Sequence, residues 1–232
     1  PVGSANNMGM AMHESQSLSL DMHLARQPEF FEYLAPLAAK IFSGSGPAWS
    51  AANLHAAATR VERSLIRVYA DEVTYPLHII LRMRLEKQLM DGTLSVKDLP
   101  AAWNDGMKNL IGIAPPDNRQ GCLQDIHWYT GYFGYFPTYA LGALIAAQWV
   151  DAMKKDIPGV YAGLRTGDAS AFTGWLRDKV QAQGGLHDPA ALIEKVSGAP
   201  LSARFLKDHL RRRYLGDDAC SVTSARAGKR PA

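Results

Sequence analysis

Gly121-Cys122-Leu123-Gln124-Asp125-Ile126-His127-Trp128 is the stretch on which the reading of this chain turns. It sets an amide, a carboxylate, an imidazole and an indole between Gln124 and Trp128, and Tyr132-Phe133-Gly134-Tyr135 follows close behind. A helix or strand that only filled a core would not carry so many polar groups among aromatics. An apolar cleft that binds a polar substrate needs that mixture. Upstream, Gly112 to Gln120 contains Pro115-Pro116 and reads as a loop leading in. Downstream, Tyr139 to Met153 is dense in Ala and Leu and predicts a helix, broken at Ile157-Pro158-Gly159.

Further out, helical periodicity dominates. Pro28 can open a helix, and Phe30, Phe31, Leu34, Leu37, Ala38 and Ile41 follow it as one apolar stripe. Asp71 to Met90 predicts a long helix with Leu77, Ile80, Leu81 and Leu85 buried, closed by Asp91-Gly92. Leu99–Leu110 and segments near Val160–Leu164, Ala169–Gln181, Pro189–Val196 and Leu201–Tyr214 predict shorter helices. Met8 to Leu24 is open: its period-two alternation favours a strand, its Met and Leu content a helix. Val61 to Val68 reads as a short extended piece or a helix end, and Ser43 to Pro47 as a loop. No βαβ alternation and no solenoid repeat is present. The expected fold is mainly α, with a site between helices.

The length allows one large domain or two small ones, with the packed part expected over residues 1–216. The chain has 232 residues, 47% of them hydrophobic, with five Trp and nine Tyr, which excludes global disorder. The net charge of +3 is local: Pro200 to Ala232 alone carries +5, and residues 217–232 are expected to be a disordered basic tail. Cys122 and Cys220 form no disulfide framework, which suits a cytoplasmic setting. No apolar run reaches the ~18 residues a membrane helix needs. The start, Pro1-Val2-Gly3-Ser4, lacks the basic region and apolar core of a signal peptide and is expected to lie inside a longer chain.

Two other polar clusters accompany the first. His13-Glu14-Ser15-Gln16 offers two metal-ligand types, but neighbouring helical residues diverge by about 100° and rarely grip one ion. A helix-start cap with a surface Glu explains the residue types better on their own. Arg67 and Asp71 in Ile66-Arg67-Val68-Tyr69-Ala70-Asp71 can pair across a helical turn. Alternatively, Arg67 clamps an anionic group through two parallel N–H bonds while Asp71 caps the helix it begins. In the first cluster Gln124 and Asp125 can position a substrate and His127 can shuttle a proton. Tyr132 and Tyr135 can donate to an oxyanion. A buried network that merely joins helices is the plain alternative.

Together the three clusters resemble the M32 metallocarboxypeptidases, the family of carboxypeptidase Taq. That family carries HES(G)Q, IRxxAD and GxxQDxHW motifs in this order. Every fixed position is matched here by His13–Gln16, Ile66–Asp71 and Gly121–Trp128. The resemblance runs from about Pro1 to Tyr214. It implies a helical, cleft-forming metallopeptidase fold, similar to neurolysin and angiotensin-converting enzyme, that removes single amino acids from peptide C-termini. It further implies zinc, with cobalt possible, held by the two His of a HExxH helix and by Glu14. His13, Gln16 and Asp71 support that arrangement from behind. Arg67 becomes a candidate for the substrate carboxylate, with Gln124 and Asp125 beside it. His127, Tyr132 and Tyr135 become candidates for transition-state stabilisation, since Gly131 to Tyr135 resembles the catalytic tyrosine loop of thimet oligopeptidase. A homodimer is also implied.

One departure is large. The histidines are His13, His23, His55, His78, His127, His187 and His209, so no HExxH exists. The expectation is the C-terminal part of a longer enzyme, inactive alone, unable to hold zinc tightly through one carboxylate and prone to associate with its missing N-terminal half. The alternatives are a non-enzymatic helical remnant that works through partners, and a nucleic-acid binder using Arg211-Arg212-Arg213. The retained motifs argue against the remnant. Favourable placement at a helix C-terminus explains the arginines without nucleic acid.

Overall fold

The computed structural model describes residues 8–216, in which nine α-helices and several 3₁₀ turns are joined by short loops, with no strand. The expected tail, 217–232, lies outside the described residues. The helices are α1 Met10–Leu18, α2 Pro28–Ile41, α3 Ala51–Ala58, α4 Tyr75–Met90, α5 Leu99–Leu110, α6 Phe136–Asp156, α7 Ser170–Lys179, α8 Pro189–Ser197 and α9 Arg204–Leu215.

α6 is the central pillar because small residues on it admit neighbours. Gly142, Ala143, Ala146 and Ala147 are buried on it, and α1 lies along it. A Cβ on Gly142 would stand 2.7 Å from Glu14 Cβ and 3.0 Å from the Glu14 carbonyl carbon. Only glycine permits that approach, and the approach sets the height of Glu14. Farther along, Ile145, Trp149, Val150 and Met153 of α6 join Met12, Leu24 and residues of α7 and α8 in the largest apolar cluster. A second cluster joins Leu81 and Leu85 of α4 to Trp103 and Met107 of α5, with Ile111 and Cys122. The start of α6 stands beside this second cluster, and the candidate site gathers there.

Within Met8 to Leu24 the structure is helical from Met10 onward. α1 widens into a π-helical stretch, Ser19–Leu24, which turns Met22, His23 and Leu24 inward together. The extra residue per turn breaks the 3.6 register that would expose one of them. Val61 to Val68 is extended until a 3₁₀ turn at Arg67–Tyr69. α3 had no clear apolar stripe and carries no buried residue. α4 begins at Tyr75 rather than Asp71, with Pro76 in its first turn. α6 begins at Phe136, ahead of the expected Tyr139, with Pro137 in its first turn. The buried side of α4 is also more polar than expected: His78, Arg82 and Glu86 are buried with Ile79, Leu81 and Leu85, whereas Leu77 and Ile80 are half-buried. No helix among the described residues is long and apolar enough to cross a membrane.

Candidate active site

Four segments converge on one cluster: the 3₁₀ turn at Arg67, the polar stripe of α4, the loop from Gly121 to Tyr135, and the first turn of α6. His78, Arg82 and Glu86 are spaced i, i+4, i+8 and so share one face of α4. That face receives the loop. Asp125 is the hub. Its Oδ1 accepts from Arg67 Nε at 2.9 Å and faces Arg67 Nη2 at 2.8 Å, while its Oδ2 accepts from Arg82 Nε at 2.6 Å.

Gln124 repeats the bridge. Its Oε1 accepts from the Arg67 backbone N–H at 2.9 Å and from Arg82 Nη2 at 2.8 Å. Its Nε2 donates to the carbonyls of Leu65, Gln120 and Gly121. Adjacent residues can both reach the two arginines because the loop is not helical here. Arg82 is fully buried, with its guanidinium 4.6 Å from the Trp103 ring centre. Burial pushes its pKa down to about 10, opposed by Asp125 and aided by the Arg67 charge. Burial would raise the Asp125 carboxyl, but Arg82 and Arg67 hold it below its ordinary value.

Arg67 does not pair with Asp71 as one reading of their spacing allowed. Asp71 caps the turn instead, accepting from the N–H groups of Val73 and Thr74 and from the Thr74 hydroxyl, each at 2.9 Å. It also accepts from the Glu62 N–H. It therefore ends the extended segment four residues before α4 and fixes Arg67 indirectly. The Arg67 guanidinium lies 5.0 Å from the Tyr139 ring centre.

His127 is buried beside this pair. Its Nε2 lies 3.0 Å from the Tyr139 hydroxyl, and its Nδ1 is 3.9 Å from Asp125, too far for a hydrogen bond. Burial, reinforced by the Arg67 charge, lowers its pKa and keeps the ring neutral at pH 7. Tyr135 donates to Glu14 Oε1 at 2.8 Å, and its ring stands 5.2 Å from that of Tyr139. Burial and then the Glu14 carboxylate raise its hydroxyl pKa, so it remains a proton-bearing donor.

Tyr132 is 57% exposed and touches Tyr135 ring to ring at 5.9 Å. Glu86 pins the loop by accepting from Trp128 Nε1 at 2.8 Å and from the Gly134 N–H. Gly131 and Gly134, at φ 80° and 75°, make the turns that bring Tyr135 back toward Glu14.

The sequence-derived residues thus fall into two groups. Glu14, Arg67, Gln124, Asp125, His127 and Tyr135 are brought together. His13 is exposed, and Gln16 points away from Glu14, donating to Ser15 Oγ and accepting from Gln181. Arg82, Glu86 and Tyr139 are structural members that the motifs did not disclose. The signal for the first two was an Arg and a Glu four apart, in register with His78 and so on one face of the helix with it.

A metal needs more than Glu14. Among the described residues no group of three His, Cys, Asp or Glu side chains is placed to hold an ion. The donor set does not by itself fit a tetrahedral zinc, which takes at least three protein ligands.

In this all-helical body Glu14 thus stands beside a cationic, aromatic cluster. The chain matches the family described as carboxypeptidase Taq (M32) metallopeptidase over residues 1–214, and it belongs to that family. It is 40% identical over 214 residues to thermostable carboxypeptidase 1 of Thermus thermophilus, covering 92% of this chain and 41% of that protein. Carboxypeptidase 1 of Bacillus subtilis is 38% identical, at 90% and 42% coverage. The structure superposes on Trypanosoma cruzi metallocarboxypeptidase 1 with a TM-score of 0.84 and 37% identity, covering 89% of this chain and 43% of that one. On the M32 carboxypeptidase from Deinococcus radiodurans R1 the TM-score is 0.81 at 34% identity, covering 89% and 42%. The chain therefore spans about two fifths of the length of the relatives it matches.

Proposed function

We propose that this chain forms the substrate-facing wall of a metallocarboxypeptidase that releases single amino acids from peptide C-termini. One observation carries the reading: two arginines share a single aspartate beside His127, Tyr135 and Glu14. The wall keeps a surplus positive charge where a carboxylate would dock. Arg67 binds that carboxylate, oriented by Gln124 and Asp125. His127 and Tyr135 carry neutral donors that favour an oxyanion next to the cleaved bond, and Tyr132 closes the rim.

Zinc, or cobalt in its place, is the metal the family resemblance implies, and Glu14 is the ligand this chain contributes. Held by Glu14 together with ligands from elsewhere, such an ion would supply Lewis-acid chemistry at the scissile carbonyl. The remaining ligands and the general base come from a polypeptide carrying HExxH. Peptides are the substrates, and a homodimer is the expected assembly of the whole enzyme.

The test is release of C-terminal amino acids from a mixed peptide substrate, with zinc or cobalt and with a chelator. The chain alone is expected to release none and, after dialysis, to retain no stoichiometric zinc by elemental analysis. Release should appear on adding a polypeptide with the HExxH segment. Chelator-sensitive release by the chain alone would overturn the incomplete-site reading. The lack of a three-ligand group among the described residues also supports a second reading, a remnant that binds peptides without cutting them. Peptide binding without release, even when the HExxH polypeptide is supplied, would favour that one.

A further inference from the structure

We propose that Arg82, which no motif contains, is the positioning residue that makes Arg67 a carboxylate receptor, by preventing Asp125 from neutralising it. The inference rests on the carboxylate reading above and deepens it.

Asp125 carries one negative charge and is shared between two guanidinium groups, one on each oxygen. A lone Arg67–Asp125 pair would be neutral and would have no net attraction for an anion. With Arg82 present the trio carries a single positive charge, in surroundings built of Phe136, Trp103 and Tyr139 rings. Among the described residues Asp125 is the only carboxylate paired with either guanidinium: Glu86 accepts from Trp128 and the Gly134 N–H, and Asp71 from Glu62, Val73 and Thr74. A buried uncompensated charge is costly, and a partner that supplies one negative charge relieves the cost.

The geometry assigns the receiving end to Arg67. Arg82 is 0% exposed, and all its nitrogens are used: Nε on Asp125, Nη2 on Gln124, and Nη1 on the His78 carbonyl at 3.0 Å. Arg67 is 6% exposed, and its Nη1 meets only the Tyr75 hydroxyl, at a long 3.4 Å. Arg82 holds the charge and Arg67 presents it. The ligand class is a monoanionic carboxylate, which two adjacent N–H groups match in shape.

Binding of hippurate, and of its uncharged amide hippuramide, to the whole 232-residue chain by NMR titration tests this without requiring activity. The unmodified chain is expected to bind hippurate and to reject the amide. Arg82→Met leaves the neutral pair and should weaken hippurate by at least about tenfold, the size of one charge-assisted hydrogen bond. Arg82→Met combined with Asp125→Asn restores one positive charge and should recover most of that loss. A role in packing alone predicts the opposite, since the double variant removes more contacts than the single one.

Equal binding of hippurate by the unmodified chain and by Arg82→Met would overturn the proposal and leave the carboxylate reading standing. A double variant as weak as the single one would do the same. Equal affinity for hippurate and its amide in the unmodified chain would overturn both. If Arg82→Met does not fold, Asp125→Asn alone decides: its charge of two should tighten hippurate, and weakening would reject the proposal.

Discussion

Arg67 and Glu72 are five residues apart in sequence, and each anchors a buried ionic cluster, but the two clusters differ in whether their charge closes. Around Glu72 it does. That carboxylate is 3% exposed and accepts from Arg213 Nη1 at 2.6 Å, the Tyr214 hydroxyl at 2.7 Å and His209 Nε2 at 3.1 Å. Burial keeps His209 and Tyr214 in their neutral forms, so one Glu meets one Arg. Around Arg67 two cations meet one carboxylate. The closed cluster ties α9 to the segment that opens α4. The open cluster is the one proposed to receive a ligand. On the proposal above, one unit of charge separates the structural cluster from the ligand-binding one.

Breaking the closed cluster should have the largest effect. Glu72→Gln leaves Arg213 buried without its counter-ion, and truncating one partner of such a pair costs about 3–5 kcal/mol. Urea denaturation should show it, and Arg213→Ala should match it, with a double variant far from additive. The pH dependence follows the same cluster. Burial alone would raise the Glu72 pKa, but the His209 hydrogen bond and then the Arg213 charge pull it from an ordinary 4.5 to about 2. A depressed carboxyl stabilises the fold fully above its unfolded value, so this contribution should fade as pH falls from 4.5 toward 2. Fully buried His23, 4.3 Å from His209 ring to ring, acts earlier. Burial, and then the neighbouring cations, hold its pKa well below 6.5. Its share is complete above 6.5 and declines as the pH drops below that. Glu72→Gln should flatten only the lower part of the profile. An unchanged profile would show that the cluster contributes no linkage.

Gly142→Ala comes next, and it weighs two opposed effects. Alanine in a helix interior gains about 1 kcal/mol over glycine. Here its Cβ meets the backbone of Glu14 and Ser15 at 3.0 Å, which cannot swing aside. Overpacking of that kind costs about 1–3 kcal/mol, so a net loss is expected in thermal unfolding. Relief by a shift of α1 would instead lengthen the Tyr135–Glu14 contact, which ties the open cluster's neighbour to α1.

What the sequence disclosed and what it hid have separate physical causes. The mainly helical fold was legible because α2, α4 and α5 carry apolar residues at helical spacing, and the clusters at Glu14, Arg67 and Gln124–His127 were legible as motifs. Boundaries were not. Proline fits the first turn of a helix, and both α4 and α6 have one there, at Pro76 and Pro137. α3 escaped because its alanines have no face to bury. The open cluster was half hidden for a better reason. Arg82 looks like an exposed helical cation until the loop folds over it, and only the tertiary contact with Asp125 shows otherwise. The Glu72–Arg213 pair spans 141 positions, a separation no local pattern records.

Tyr135→Phe should separate the two tyrosines by a smaller margin. It removes the bond to Glu14, worth about 1 kcal/mol as a typical hydrogen bond. Tyr132→Phe, at a ring more than half exposed, should leave stability unchanged within about 0.5 kcal/mol. Equal losses would place Tyr132 in the same network.

The smallest effect is expected at Arg211, and it refines the comparison at the far end of the closed cluster. Arg211, Arg212 and Arg213 read as one basic run, yet the fold divides them. Arg213 is 10% exposed at its side chain, donating to Glu72 and to the Met22 carbonyl. Arg211 is 35% exposed and pairs with Asp208 one turn back, at 3.3 Å. An exposed pair of that kind contributes about 0.2–1 kcal/mol, reduced further by salt. Arg211→Ala should therefore change stability by no more than that, while Arg213→Ala costs several-fold more. The same division argues against the run as a nucleic-acid surface, because Arg213 is committed inward. A steep fall of duplex DNA affinity with salt, lost in Arg211→Ala, would restore that reading and show that position in the fold had been given too much weight against charge.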